Sequence, residues 1–265
     1  MRASIASTLI LAAGLAAPTV AAAGSSAWFD TDGARIRLLT AEAADAGGTL
    51  RGALEIVLEP GWKTYWRDPG DAGIPPQIDI SASTNVSGAV FDFPAPVRFH
   101  EGWAGYAQSV SLPVRFAIPD PAHFSAVEAD IFLGICKEVC VPVQARLSAA
   151  QQSAASDAES GAAVEAAFAA LPGPASEGFG IAGLRDEGSR LVATATLAGD
   201  ADAELFVVTP TGWVLRPPEA ARADGAVSFS IPVAERPTGA AAGPVAFDYT
   251  LVSGGKSVSG TARLD

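Results

Sequence analysis

Hydrophobic and polar positions alternate in short runs from Ala27 to about Leu147, and turn residues cut one run from the next. Residues 34–39 and 50–58 show the clearest period of two, which sends successive side chains to opposite faces of an extended strand. Pro60-Gly61 marks a turn, and residues 68–76, rich in Pro, Gly and Asp, read as a long irregular loop. Further strands are expected at 77–81, 90–93, 110–118 and 127–133, with 141–147 closing the set. Many short strands with no helical period between them predict an antiparallel sandwich.

The alternation stops at 148–176, a stretch rich in Ala, Ser, Gln and Glu. A short helix is expected over 161–171, ahead of Pro172-Gly173-Pro174. Strand patterns then resume at 191–197, 204–209, 226–231 and 245–252, where Ser253-Gly254-Gly255-Lys256 turns the chain into a last strand at 257–264. The predicted class is therefore all-β. A sandwich domain at 24–147 is followed by a helical linker at 148–177 and a second, smaller sandwich at 178–265. The second domain has no cysteine, no histidine and one tryptophan, Trp213. It reads as a spacer or docking surface.

Residues 1–23 have the form of a secretory signal peptide. Arg2 supplies the positive start, residues 5–17 form an uncharged apolar stretch, and Pro18 precedes the small-residue run Ala21-Ala22-Ala23. Cleavage is expected after Ala23. As an uncleaved anchor the segment would be poor, because it is alanine-rich and broken by Pro18. The expected product is a free-standing exported protein in the periplasm, without stable membrane insertion, where disulfides persist.

Composition narrows the function. A net charge of −12 excludes a nucleic-acid partner, since such proteins carry a basic footprint. With 49% hydrophobic and 17% charged residues the chain is folded rather than disordered. Two cysteines, Cys136 and Cys140, are too few for a disulfide scaffold.

Three uses of that cysteine pair are open. As a structural bridge it would close a loop of about five residues and stabilise by only about 2 kcal/mol, against about 4.7 kcal/mol for a loop of 100. As a metal site it would need two further ligands, and only His100 and His123 offer imidazole, at none of the usual spacings. Copper(I) often recruits methionine, and Met1 is the only one in the chain. Switching between dithiol and disulfide suits a short-range pair best. Lys137 favours a thiolate and Glu138 opposes one, so the immediate neighbours give no net bias. No cofactor is expected.

Trp62, Tyr65, Trp66, Trp103 and Tyr106 gather ahead of the cysteines, in Gly61–Trp66 and His100–Tyr106. Both stretches look loop-like. The glycines beside Trp103 suit an aromatic loop that covers the sulfurs as well as they suit a core position.

Three segments together resemble the N-terminal periplasmic domain of the DsbD family of thiol:disulfide interchange proteins, including its suppressor-of-copper-sensitivity B branch. They are Pro60–Gly70 (PGWKTYWRDPG), Phe99–Tyr106 (FHEGWAGY) and Gly134–Pro142 (GICKEVCVP), within a resembling stretch of about 27–147. The resemblance implies an immunoglobulin-like sandwich with a redox-active cysteine pair. It also implies that Cys140 forms the mixed disulfide with a partner and that Cys136 resolves it. Glu101, Trp103 and Tyr106 fall where the family has a cap loop, Trp103 being the counterpart of its shielding aromatic, and Tyr65 matches an aromatic packed near the pair. The implied partners are thioredoxin-fold periplasmic proteins and a membrane-embedded thiol donor of electrons. The branch name adds copper handling as an alternative use of the thiols. This chain departs from the family in its shorter cysteine spacing and in lacking a Cys-x2-Cys motif.

Overall fold

The computed structural model describes residues 24–70, 73–100, 102–150, 158–223, 226–237 and 245–264. Residues 1–23, expected from sequence to be a signal peptide, and Glu101 lie outside the described residues.

Eleven strands build the first domain. They are β1 (Phe29–Thr31), β2 (Ala34–Thr40), β3 (Thr49–Leu58), β4 (Lys63–Tyr65), β5 (Gln77–Asp79) and β6 (Gly88–Phe91). β7 (Val97–Arg98), β8 (Ala104–Tyr106), β9 (Val110–Ala117), β10 (Ala126–Cys136) and β11 (Cys140–Ala150) follow. One sheet has the order β1-β2-β3-β9-β6 and the other β11-β10-β4-β8-β7, with β5 also paired to β10. Every pairing in both sheets is antiparallel.

The period of two explains how the sheets meet. Ile36, Leu38, Leu54, Ile56 and Phe116 of the first sheet face Ile131, Leu133 and Ile135 of β10 and Ala145 and Leu147 of β11 in one core. Each fully buried Leu or Ile there stabilises by about 1.5–3 kcal/mol. In β10 the alternation leaves Phe132, Gly134 and Cys136 on the outer face of the second sheet.

Helix α1 (Ala158–Ala169) begins before the expected 161–171 and does not hang between domains. Val164 and Ala167 pack on Leu39 and Ala53, on the outer face of the first sheet. Arg51 holds the helix from the side, pairing with Glu165 at 2.9 Å and lying over the Phe168 ring.

The second domain contains β12 (Gly173–Pro174), β13 (Gly180–Asp186), β14 (Arg190–Thr196), β15 (Ala203–Val207) and β16 (Val214–Leu215). It continues with β17 (Glu219–Ala223), β18 (Ala226–Glu235), β19 (Val245–Ser253) and β20 (Lys256–Leu264). Their order is β15-β19-β20-β13-β14-β18-β16, with β12 on β20 and β17 on β18. The strands wrap one core that joins Leu191, Leu205, Trp213, Phe229, Phe247 and Leu251. The molecule is thus all-β apart from α1 among its described residues, with two sandwich-type cores. The cores are not independent. Phe206 of β15 is buried in the core of the first domain, edge-on to Trp66 at 5.9 Å between ring centroids.

Two segments expected as loops are strands. β4 and β8 have three residues each, too short to display a period; they pair with each other, and β4 also pairs with the end of β10. Those pairings bring the aromatic residues beside the cysteines.

Candidate redox site

β10 and β11 form a long hairpin whose final cross-strand partners are Cys136 and Cys140. Lys137, Glu138 and Val139 make the turn, closed by the Lys137 N–H donating to the Val139 carbonyl at 3.3 Å. Directly opposed residues on one face come close enough for a bridge, and the two Cα atoms are 4.1 Å apart. The cysteines are joined as a disulfide. Its two ends differ in access: Cys136 is 3% exposed, whereas Cys140 is open to solvent beside Val139, itself 73% exposed.

Tyr65 lies against both sulfurs of the bridge. Its hydroxyl donates toward Cys140 Sγ at 2.8 Å and lies 3.1 Å from Cys136 Sγ. A disulfide sulfur carries no hydrogen, so the phenol is the donor. Burial pushes the Tyr65 phenol above its ordinary range, which keeps the proton in place at neutral pH.

Register explains why Tyr65 and not Tyr106 reaches the sulfurs. Tyr65 pairs with Gly105 and Thr64 with Tyr106, so the two tyrosines point to opposite faces of the sheet. Tyr106 is buried in the sandwich core and donates to the Pro94 carbonyl at 2.9 Å. Burial raises its phenol well above the ordinary range.

Two glycines form the floor of the site. A Cβ at Gly134 would lie 2.7 Å from Tyr65 Cε2, and one at Gly105 would lie 2.7 Å from Trp103 Cζ3. Bare backbone at these positions lets the rings approach the sheet closely. Trp103, half-buried, packs on Tyr65 at 4.7 Å between centroids, and Phe99 on Trp103 at 4.0 Å. Lys63 caps the stack with its ammonium 4.5 Å from the Phe99 centroid. Trp103 is therefore one ring removed from the sulfurs. Gly134 and Gly105 carried no visible signal, since a glycine in a strand pattern marks a close approach without naming what approaches. Trp62 sits apart from the stack, facing Lys137 at 6.0 Å.

Neither histidine is brought to the thiols by a hydrogen bond; His123 pairs with Asp120 at 2.6 Å and His100 is exposed. Among the described residues no group of three or more His, Cys, Asp and Glu converges as a metal site would require.

A small β-sandwich domain with a half-exposed disulfide at a hairpin tip, against a tyrosine hydroxyl, defines the class. Residues 36–152 match the family model described as thiol:disulfide interchange protein DsbD, N-terminal. The fold as a whole is similar to the crystal structure of the N-terminal periplasmic domain of ScsB from Proteus mirabilis. The TM-score is 0.76 at 20% identity, over 92% of this chain and 99% of that one. At that identity the likeness concerns the fold, and it takes in both β domains. No curated protein shows a significant match to the chain. Among the described residues no helix is long and apolar enough to cross a membrane.

Proposed function

We propose that the protein is an exported thiol:disulfide interchange protein that works in the periplasm and exchanges electrons with partner proteins through Cys136 and Cys140. The observation that carries this reading is the asymmetry of the disulfide, with Cys140 open to solvent and Cys136 buried. A structural bridge gains nothing from such unequal access. An exchange pair needs one sulfur that partners reach and one reserved for resolution.

In the reduced state the Cys140 thiolate attacks a partner disulfide. A mixed disulfide forms and one partner thiolate leaves. Cys136 then attacks Cys140 Sγ, the intermolecular bond breaks, and the second partner thiolate is released. The partner gains two electrons and two protons, and Cys136–Cys140 becomes the disulfide. A dithiol donor reverses the sequence: its thiolate attacks Cys140 Sγ and Cys136 departs as thiolate toward the Tyr65 hydroxyl. The burial of Cys136 and the exposure of Cys140 direct attack to Cys140, while Tyr65, backed by Trp103, holds its hydroxyl against both sulfurs. Glu101 precedes Trp103 by two residues in the sequence, and Tyr106 supports β8 from the core side. Thioredoxin-fold proteins and a membrane-embedded thiol donor are the proposed partners, and residues 1–23 the signal that exports the chain.

The test is covalent trapping in periplasmic extract. Cys136→Ala is expected to accumulate a mixed disulfide through Cys140 that a reductant releases. The Cys140→Ala variant, with only the buried sulfur left, is expected to trap little. Absence of adducts with both variants would overturn the proposal.

A further inference from the structure

The second domain has no cysteine or histidine, yet its polar contacts with the first domain converge on the segments that hold the aromatic stack. Arg98 immediately precedes Phe99, and its guanidinium serves both domains. Nε donates to Glu204 Oε1 at 3.0 Å and Nη2 to the Leu205 carbonyl at 2.9 Å. Nη1 donates to the carbonyl of Gly102, next to Trp103, at 3.1 Å. The same group lies over the Phe206 ring at 4.6 Å, and the side chain is only 19% exposed. From the second domain Pro217 also abuts Gly102, 3.4 Å from where a Cβ would stand. On the other flank of Tyr65, the Thr209 N–H donates to Asp68 at 2.5 Å. Gly73, a few residues further on, rests against the Tyr65 ring.

We propose that the second domain sets the redox poise of the cysteine pair, with Arg98 as a positioning residue that fixes Trp103 on Tyr65 and so holds the Tyr65 hydroxyl at the sulfurs. This deepens the reading of Cys136–Cys140 as an exchange pair and rests on it. Burial lowers the pKa of the Arg98 guanidinium from its ordinary range, and Glu204 offsets part of that effect. A half-desolvated guanidinium needs its acceptors, and here they come from both domains, so neither domain satisfies it alone. A hydroxyl held at the sulfurs favours the reduced state, because a thiolate accepts a stronger hydrogen bond than a disulfide sulfur does.

The experiment equilibrates the full chain with reduced and oxidised glutathione and measures the constant for forming the dithiol. Arg98→Ala is expected to lower that constant at least about fivefold, the lower end of common site-to-site couplings. Trp103→Ala is expected to lower it in the same direction. In a Tyr65→Phe background Arg98→Ala is expected to have no further effect. A folded Arg98→Ala protein with an unchanged constant would overturn the proposal, as would a drop that persists without the Tyr65 hydroxyl. Should Arg98→Ala not fold, Glu204→Gln decides: a fall of about twofold, fitting a half-exposed ion pair, supports the proposal. An unchanged constant in Glu204→Gln overturns it. Successful trapping by Cys136→Ala together with an unchanged constant in these variants sinks this inference alone. Failed trapping sinks the exchange reading itself.

Discussion

The Tyr65 phenol stands among Gly134, Ile74 and Trp103, and its hydroxyl is directed at two sulfurs. When the pair is reduced, the group it faces can be a thiolate, and a hydrogen bond to a charged acceptor contributes about 1.5–3 kcal/mol. At about 30 mV per 1.4 kcal/mol for a two-electron couple, that is about 30–65 mV. Tyr65→Phe is therefore expected to make the potential more negative by that amount, measured against the glutathione couple. An unchanged potential would show that the hydroxyl is a packing feature only. At this scale the cysteines were legible, because a close pair in a chain with no other cysteine restricts its own partners. The division of labour between Tyr65 and Tyr106 was not. It depends on which face each occupies, and three-residue strands give no alternation from which to read a face.

The hairpin is the element that makes switching compatible with folding. β10 and β11 are 11 residues each and paired along their whole length, so the register does not depend on the bridge at their tip. Closing a loop of about five residues stabilises by about 2 kcal/mol at most. Reduction is expected to lower the melting temperature by no more than about 4–8 °C for a chain of this size, with far-UV circular dichroism unchanged at 25 °C. Loss of β signal on reduction would mean that the disulfide holds the hairpin together, contrary to an exchange role. The long strands were read from period-two patterns, and β2, β3, β9 and β19 fall close to their expected positions. β4 and β8 were hidden because glycine, tryptophan and short length all mimic loop chemistry, whereas the strand β10 that β4 joins lies far along the chain. The docking of α1 on Leu39 and Ala53 was equally invisible, since an alanine-rich helix presents little apolar contrast between its faces.

At the scale of the whole molecule, the contacts that matter join residues more than a hundred positions apart: Arg98 with Glu204, and Asp68 with Thr209. No local pattern announces such contacts, so from sequence alone the second domain reads as a spacer or docking surface, with nothing to say what it docks on. Phe206 shows most directly where it meets the first domain. The side chain starts on a strand of one domain and is buried in the core of the other, 1% exposed, against Trp66. Truncating a buried Phe to Ala typically costs about 3–5 kcal/mol, the lost transfer energy plus the cavity left behind. In Phe206→Ala that cost falls on the interface rather than on either core alone, because the remaining strands of both domains keep their own clusters. The wild-type protein is expected to unfold in urea as one transition when followed both by tryptophan fluorescence and by circular dichroism. In Phe206→Ala the two probes are expected to separate, and Arg98 loses the ring beneath its guanidinium. The glutathione equilibrium should then move in the same direction as in Arg98→Ala. Coincident transitions in the variant, with an unaltered glutathione equilibrium, would mean that the two domains merely abut and that the redox pair is indifferent to its neighbour.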